Sequence, residues 1–306
     1  MEKILITGVG GFIGSAVAQR FVDEGHEVVG VDNLSTGYAT KVPKGVEFIK
    51  EDLALGSAIS RLPSGCTKIL HLAGQSSGEI SFDNPVIDLQ KNTISTLNLI
   101  QYGIQNQVQR MVYASSMSIY GLVQDVPIAE SFQAKPLSCY GVGKYAAENY
   151  LKVYQNQLPS IALRMFNVYG PGQDLRNLRQ GMVSIYLAQA LAGNEILVKG
   201  SVDRFRDFVF IDDVVEAWYR AAIYPDIRST VLNVGTGIKT TVKDLLDRIC
   251  LAVPGSSYVT RGGTPGDQSG IYADISLLGG NLGQTEFTSL DEGLLKFIEW
   301  AHLNPV

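Results

Sequence analysis

An apolar segment that runs directly into glycines at a three-residue spacing, and from them into a helical pattern, leaves a chain few folds to choose from. Here the segment is Ile4-Leu5-Ile6-Thr7-Gly8-Val9-Gly10-Gly11-Phe12-Ile13-Gly14. Gly8 permits the tight turn, Gly11 lets the backbone approach a pyrophosphate, and Gly14 lets helix and strand pack closely. The start of the helix then turns its unpaired N–H groups toward an anion. These features predict the first unit of a dinucleotide-binding Rossmann sheet. Asp32 ends the second predicted strand, where a carboxylate can accept both ribose hydroxyls of an adenosine and repel a 2′-phosphate. Asn33, Leu34, Ser35, Thr36 and Gly37 include no Arg to bind such a phosphate, so the expected cofactor is NAD rather than NADP. Asp52, after the third strand, is placed to accept from an adenine amine.

The alternation that begins there continues. Ile4 to Thr7, Glu27 to Val31, Val46 to Ile49, Thr67 to His71, Arg110 to Ser115 and Ile161 to Arg164 read as strands. Phe12 to Glu24, Pro85 to Asn106 and Ser138 to Asn156 read as helices between them. Six strands with crossovers predict an α/β fold, a Rossmann-type doubly wound parallel sheet. Beyond Gly170 the alternation breaks down into a helix at Met182 to Ala192, a strand-helix unit at Phe208 to Tyr224, and a remainder that reads as short elements and loops. The expected organisation is an NAD-binding domain over 1–170 and a smaller C-terminal substrate-binding lobe over 171–306, with part of 205–235 packing back on the sheet.

The 306 residues, 45% of them hydrophobic, suffice for a large core. Thirty acidic against 25 basic side chains give a net charge of -5, with no basic stripe, which argues against nucleic acid as a partner. Cys66, Cys139 and Cys250 are odd in number and far apart, and His26, His71 and His302 are isolated, so neither a disulfide framework nor a metal site is expected. No run reaches membrane-spanning length and the N-terminus lacks a signal-peptide pattern. A cytoplasmic protein is expected.

Tyr140-Gly141-Val142-Gly143-Lys144 sets a phenol and an ammonium four residues apart, on one face of a predicted helix. Bringing a tyrosine from its ordinary pKa to about 7, where it can act as a base, takes roughly 4 kcal/mol. A neighbouring Lys and a cationic nicotinamide act with the right sign. The pair opens the helix after the fifth strand, which ends in Ser115-Ser116, and ligands of such sheets bind at the carboxyl ends of the strands. The hydroxyls can then bond a substrate oxygen over the nicotinamide. No His lies where a Ser-His-Asp hydrolase would need it.

Taken together, Thr7 to Gly14, Asp32-Asn33-Leu34, Asp52-Leu53, His71-Leu72-Ala73-Gly74-Gln75, Asn92, Ser115-Ser116 with Tyr120-Gly121, Tyr140 and Lys144, Arg164 to Pro171, Arg206-Asp207-Phe208 and Gly266-Asp267 resemble the extended short-chain dehydrogenase/reductase superfamily. The similarity is to its NAD-dependent epimerase/dehydratase branch, with its UDP-galactose 4-epimerase-like members. The resemblance implies Ser116, Tyr140 and Lys144 as catalytic residues. It implies an NAD site lined by Gly8, Gly11, Phe12, Ile13, Gly14, Asp32 to Gly37, Asp52, Leu53, Leu72, Ala73, Gly74, Gln75, Asn92 and Phe166. Ser76, Ser116, Asn167, Arg206 and Asp267 are implied for the substrate, a nucleotide-diphosphate sugar with UDP favoured. It also implies a homodimer through the helices at Pro85 to Asn106 and Ser138 to Asn156.

By the same resemblance the reaction is transient oxidation to a 4-keto sugar and return of the hydride to the opposite face. Dehydratases and decarboxylases of the branch carry an acid after the serine or threonine. Here Met117-Ser118 follows, which is like the epimerases. Many relatives place an Arg where this chain has Thr264, and Arg261 or a different mode of holding the substrate is the alternative; Glu79 sits where relatives approach the sugar. Two other readings stay open. One is an NAD(P)H-dependent keto-sugar reductase using the same three residues, against which Asp32 favours retained NAD. The other is a non-catalytic NAD-sensing protein, which would have no need of an activated phenol.

Overall fold

In the computed structural model, residues 1–227, 230–263 and 269–304 are described. The elements run β1 (Lys3–Thr7), α1 (Phe12–Asp23), β2 (Glu27–Asp32), β3 (Val46–Lys50), β4 (Lys68–His71), α2 (Gly78–Ser81), α3 (Pro85–Leu89), α4 (Ser95–Gln105), β5 (Arg110–Ser116), α5 (Cys139–Tyr154) and β6 (Ser160–Met165). They continue with β7 (Asn167–Tyr169), α6 (Met182–Leu191), β8 (Ile196–Lys199), β9 (Phe205–Arg206), β10 (Phe208–Phe210), α7 (Ile211–Ile223), β11 (Thr230–Val234), β12 (Thr240–Thr241), α8 (Val242–Ala252), β13 (Tyr258–Arg261), α9 (Ser276–Leu282) and α10 (Leu290–Leu303). None of the described helices is long and apolar enough to cross a membrane.

The chain divides into two compact units. The first comprises Met1–Ile119, Pro136–Arg164 and Val215–Leu232. Its seven-stranded sheet has the order β11-β6-β5-β4-β1-β2-β3, so the chain winds outward in one direction from β1 and then back across it, as in a Rossmann sheet. The pairs β1 with β2, β1 with β4, β2 with β3 and β4 with β5 are parallel. Both faces of the central strands are buried: Ile4, Leu5 and Ile6 in β1 are all fully enclosed. A strand covered by helices on two sides needs a continuous apolar run, not an alternating one, which is why β1 reads as it does. Leu99, Ile100 and Tyr102 of α4 and Ala147 and Leu151 of α5 pack with Met111 and Tyr113 of β5 in one core.

Residues 205–235 were expected to return to the sheet in part, and Val215–Leu232 belongs to this unit. Arg110 at the start of β5 donates to the carbonyls of Ala222, Pro225 and Ile227, gathering the end of α7. Arg20 of α1 pairs with Glu216 and stacks on Tyr219. The seventh strand, β11, was not anticipated.

The second unit comprises Tyr120–Lys135, Met165–Val214 and Asn233–Val306. Its strands pair two by two: β7 with β10 in parallel, β9 with β12 antiparallel, β8 with β13 in parallel. The expectation of only short elements and loops at the C-terminus is corrected here by α8 and α10. Thr241 and Asp244 form a reciprocal capping box on α8, with Leu245, Leu246 and Ile249 on its buried face. Ser289 caps α10, which buries Leu294, Phe297, Ile298 and Ala301. The unit is tied together by buried polar groups. Asp207 accepts from Thr236 N and Oγ1, Gly237 N and Ala273 N, at 2.7 to 3.1 Å.

Candidate active site

The glycine loop packs as its spacing requires. Gly8 takes a positive φ of 78°, and a Cβ there would stand 2.8 Å from the Ala73 nitrogen. A Cβ on Gly14 would stand 2.0 Å from the Gly8 carbonyl oxygen, so no side chain fits between α1 and the turn. Gly11, the residue before α1, has no side chain to cap it, and no acid lies in the first turn. With neither a side-chain cap nor an acid of its own, the first turn favours a negative group there through the macrodipole.

Asp32 binds this loop from beside it. Its Oδ2 accepts from Gly10 N at 2.9 Å and its Oδ1 from Leu34 N at 2.7 Å, which leaves further acceptor capacity on each oxygen. Asp52 is likewise anchored, accepting from Asn33 Nδ2 at 3.1 Å and Ala54 N at 3.0 Å. Asn33 Oδ1 accepts from Ser35 N, and Lys91 donates to the Ser35 hydroxyl. Gly37 lies against Gly10, so the whole stretch from Asp32 to Gly37 folds over the glycine loop.

His71 connects this region to the turn that carries Asn92, and the direction of every proton in the connection can be deduced. Thr7 Oγ1 accepts from Leu72 N and Ala73 N, so its own proton goes to His71 Nδ1 at 2.8 Å. His71 is therefore protonated at Nε2, which donates to Thr96 Oγ1 at 3.1 Å, and Thr96 donates in turn to the Asn92 carbonyl at 2.7 Å. The relay fixes the Leu72-Ala73 backbone and the turn that carries Asn92. That turn, Gln90–Ile94, is π-helical, a widening that breaks the register between α3 and α4. Asn92 Oδ1 is buried with no hydrogen-bond partner. A Cβ on Gly74 would lie 2.5 Å from that oxygen and 3.3 Å from Lys144 Nζ, so Gly74 separates the two by its lack of a side chain. The unpaired amide oxygen, the side-chain-free cradle and the uncapped helix together fit a dinucleotide.

Ser138 caps α5 by accepting from Gly141 N, and this sets Tyr140 and Lys144 in its first two turns. Both are buried, Tyr140 at 8% and Lys144 at 3% exposure. Ser116, at the end of β5, hydrogen-bonds the Tyr140 side chain and accepts from Ser118 N. Lys144 Nζ lies 5.0 Å from the centre of the Tyr113 ring and 5.7 Å from that of Tyr140. Burial pushes the Lys144 ammonium down to about 8, against the raising effects of Asp88 and Glu148. The Tyr140 phenol is pushed up to about 12, by burial first, with Ser116 lowering it and Asp88 raising it. Desolvation by burial dominates the phenol, and a positive charge brought beside it acts in the opposite direction, as expected of Lys144 together with a cationic nicotinamide.

The pairing of Ser115 with Ser116 is also corrected. Ser115 is buried with its hydroxyl donating to Glu148, which forms a two-point pair with Arg164 at 2.9 and 2.7 Å. Only Ser116 is left to meet a substrate oxygen. Ser76 and Glu79 are exposed, and Ser77 between them caps α2. Leu53 is buried in the core of the first unit.

Phe166, Asn167 and Arg206 belong to the second unit. Phe166 N donates to the Val234 carbonyl, and Asn167 donates through N and Nδ2 to the Asp207 carbonyl. The Arg206 guanidinium is buried and pushed down to about 10, by burial and then by the neighbouring Arg204. Arg206 Nη1 donates to the Phe205 carbonyl at 2.8 Å. Asp267 and Thr264 lie outside the described residues. Sequence reading did not single out Asp88, Thr96, Tyr113 or Glu148, which sit behind Tyr140 and Lys144.

A Gly14→Ala change tests the cradle. It is expected to weaken NAD binding by about tenfold or more, the equivalent of ~1.4 kcal/mol, because the helix must move off the turn. Nucleotide released from purified protein and quantified by chromatography reads the effect; full retention of NAD would contradict the close packing.

The sequence profile of the NAD dependent epimerase/dehydratase family matches residues 4–235. UDP-glucose 4-epimerase of Mycolicibacterium smegmatis is 36% identical over 82% of this chain and 82% of its own. A putative UDP-glucose 4-epimerase of Methanocaldococcus jannaschii is 30% identical over 98% and 99% of the two chains. Among solved structures, Thermotoga maritima UDP-glucose 4-epimerase with UDP-glucose superposes with a TM-score of 0.94 at 32% identity, covering 99% of both chains. Thermus thermophilus UDP-glucose 4-epimerase in complex with NAD superposes with a TM-score of 0.90 at 30% identity, covering 98% and 99%. With a profile match over most of the chain and a relative 36% identical over 82% of it, the protein belongs to the NAD-dependent epimerase/dehydratase family.

Proposed function

We propose that this protein is an NAD-dependent nucleotide-sugar epimerase acting at C4, with UDP-sugars as substrates and NAD retained through the catalytic cycle. The observation that carries the reading is the Tyr140 phenol bonded by Ser116 beside Lys144, with Met117 and Ser118 following, neither of which can serve as the acid that elimination of water would need. Tyr140 takes the proton of the C4 hydroxyl and later returns it. Ser116, fixed by Ser118 N, orients that hydroxyl. Lys144 holds positive charge behind the phenol. NAD, when bound, supplies a hydride acceptor that is restored in the same cycle and a positively charged ring that favours the phenolate. Gly8 to Gly14 with Asp32 and Asn92 hold it, and Arg206 and Asn167 hold the diphosphate of the substrate. The relatives named UDP-glucose 4-epimerases, and the solved structures bound to UDP-glucose and to NAD, support the same substrate class. Incubation with a panel of UDP-, dTDP-, GDP- and CDP-sugars without added cofactor, followed by NMR, is expected to show one pair of stereoisomers interconverting. Turnover only with stoichiometric NAD(P)H would overturn the reading.

A homodimer is proposed on the faces of α3 and α5 that unit one leaves uncovered. Val86, Val142 and Val153 are 62, 54 and 72% exposed, and a groove of about 440 Å³ runs between Pro85 and Leu89 on one side and Leu137 and Val142 on the other. Val142→Asp is expected to turn a dimer into a monomer by light scattering with fold and NAD content unchanged; a monomeric wild type would remove the proposal. A cytoplasmic location is proposed because Cys66, Cys139 and Cys250 are all free thiols.

A further inference from the structure

Asp88 is a carboxylate where a carboxylate is costly. It stands on α3, 1% exposed, in a position that sequence patterning reads as an ordinary acid in the first turn of a helix. Its Oδ1 accepts from Gln75 Nε2 at 2.9 Å and Asn92 Nδ2 at 3.1 Å, the side chains of two residues proposed for the NAD site. Its Oδ2 is buried with no hydrogen-bond partner and faces Gly143, 3.4 Å from where a Cβ would stand. A buried oxygen with that charge and no donor is tolerated where a cation lies close by. Lys144 Nζ lies on the far side of the Asn92 amide: it and Asn92 Oδ1 stand 3.3 and 2.5 Å from where a Cβ on Gly74 would be, and Asn92 is the residue that donates to Asp88.

The other groups around Lys144 cannot take this role. Glu148, one turn along α5, is committed to Arg164 of β6 and Ser115 of β5. From β4 comes His71, kept neutral by burial with its two nitrogens taken up by Thr7 and Thr96, and from β5 the ring of Tyr113. Tyr140 on α5 is the group that Lys144 serves. Asp88 is the carboxylate whose second oxygen is uncommitted.

We propose that Asp88 is a positioning residue for the reaction: its buried carboxylate, anchored to Gln75 and Asn92, keeps the Lys144 ammonium charged behind Tyr140 through its field and not through a direct ion pair. This rests on the catalytic assignment of Tyr140 and Lys144 made above. It also links the two halves of the site, because the residues that anchor Asp88 are those proposed to face the cofactor. Burial raises the Asp88 carboxyl, and Lys144 opposes that rise; Asp88 in turn raises Lys144. Each therefore favours the charged form of the other.

The test is Asp88→Asn in the holoenzyme, which keeps shape and removes the charge. The KM for a UDP-sugar is expected to stay within about twofold, while the alkaline limb of the kcat profile, where Lys144 loses its proton, moves down by about one pH unit. A uniform fall in kcat with the limb unmoved would mean that Asp88 only packs, and would overturn the proposal. A second readout does not depend on the variant. NMR of wild-type holoenzyme carrying isotope-labelled aspartate is expected to show the Asp88 carboxyl ionised from about pH 6 to pH 9. A carboxyl that stays protonated there overturns the proposal even if Asp88→Asn fails to fold. Wild-type enzyme inactive on every sugar nucleotide would instead defeat the functional reading, and the NMR result would still decide the charge of Asp88.

Discussion

Tyr140→Phe is expected to lower kcat by about 10²–10⁴-fold, the span for removing a positioned general acid-base group, with NAD content and melting temperature near wild type. The ring is buried and is retained in the variant, so no cavity forms. Ser116 keeps its bond from Ser118 N and stays in place. What is lost is the phenolic proton carrier, an interaction used in the transition state, so the fall appears in kcat with KM little changed. The size of the effect follows from the environment. With the phenol pushed up to about 12 by burial, the site is built to stay protonated until positive charge is brought to it. Activity of Tyr140→Phe within tenfold of wild type would mean that another group moves the proton.

Acid is expected to destabilise the fold through His71. The imidazole is fully buried and pushed down to about 3, by burial first and by the charge of Lys144 second. In the unfolded chain it titrates near 6.5. Between those values the unfolded chain binds a proton that the folded chain refuses, so stability rises with pH across the window and is lost as pH falls from about 6.5 toward 3. The full loss is on the order of 4–5 kcal/mol from this one side chain. Protonation would also put a hydrogen on Nδ1, against the Thr7 hydroxyl that now donates to it. Urea unfolding midpoints measured against pH, for wild type and His71→Asn, isolate the term. The variant is expected to start lower at neutral pH and to fall less steeply in acid. Parallel curves would assign the acid sensitivity to carboxylates instead.

Much of this architecture is written in local patterns. The apolar run of β1, the glycines after it and the helical period of α1 determine one another within a dozen residues, and Asp32 follows at the end of the next strand. The six strands read from sequence fall within a residue or two of β1 to β6. What escapes is decided by distant parts of the chain. Thr230 to Val234 reads as a modest β-branched run, and only its pairing beside β6 makes it a sheet strand. No residue type marks the π-helical turn at Gln90–Ile94, which is set by the packing of α3 and α4. Other misses left signals that were passed over. Thr241 with Asp244, and Ser289 with Glu292, stand at helix-start spacing ahead of α8 and α10.

The site divides in the same way. Tyr140, Lys144 and Ser116 stand out because their chemistry is uncommon on a helix and a strand end. Asp88 does not, because an acid three residues after Pro85 is what any helix start would carry; its burial against Gly143 appears only once α3 packs on α5. Ser115 shows the reverse error. Two adjacent serines look equivalent in sequence, but successive strand residues face opposite sides, and one of them is spent on Glu148.

The most direct test of the central claim is the fate of hydrogen at the reacting carbon. A UDP-hexose deuterated at C4, incubated with enzyme and no added cofactor, is expected to give its C4 epimer with the deuterium still at C4 and no accumulation of NADH, as required when hydride leaves and returns within one site. Washout of the deuterium into water would contradict that account, since it would mean that the carbon is inverted by deprotonation and not by transient oxidation.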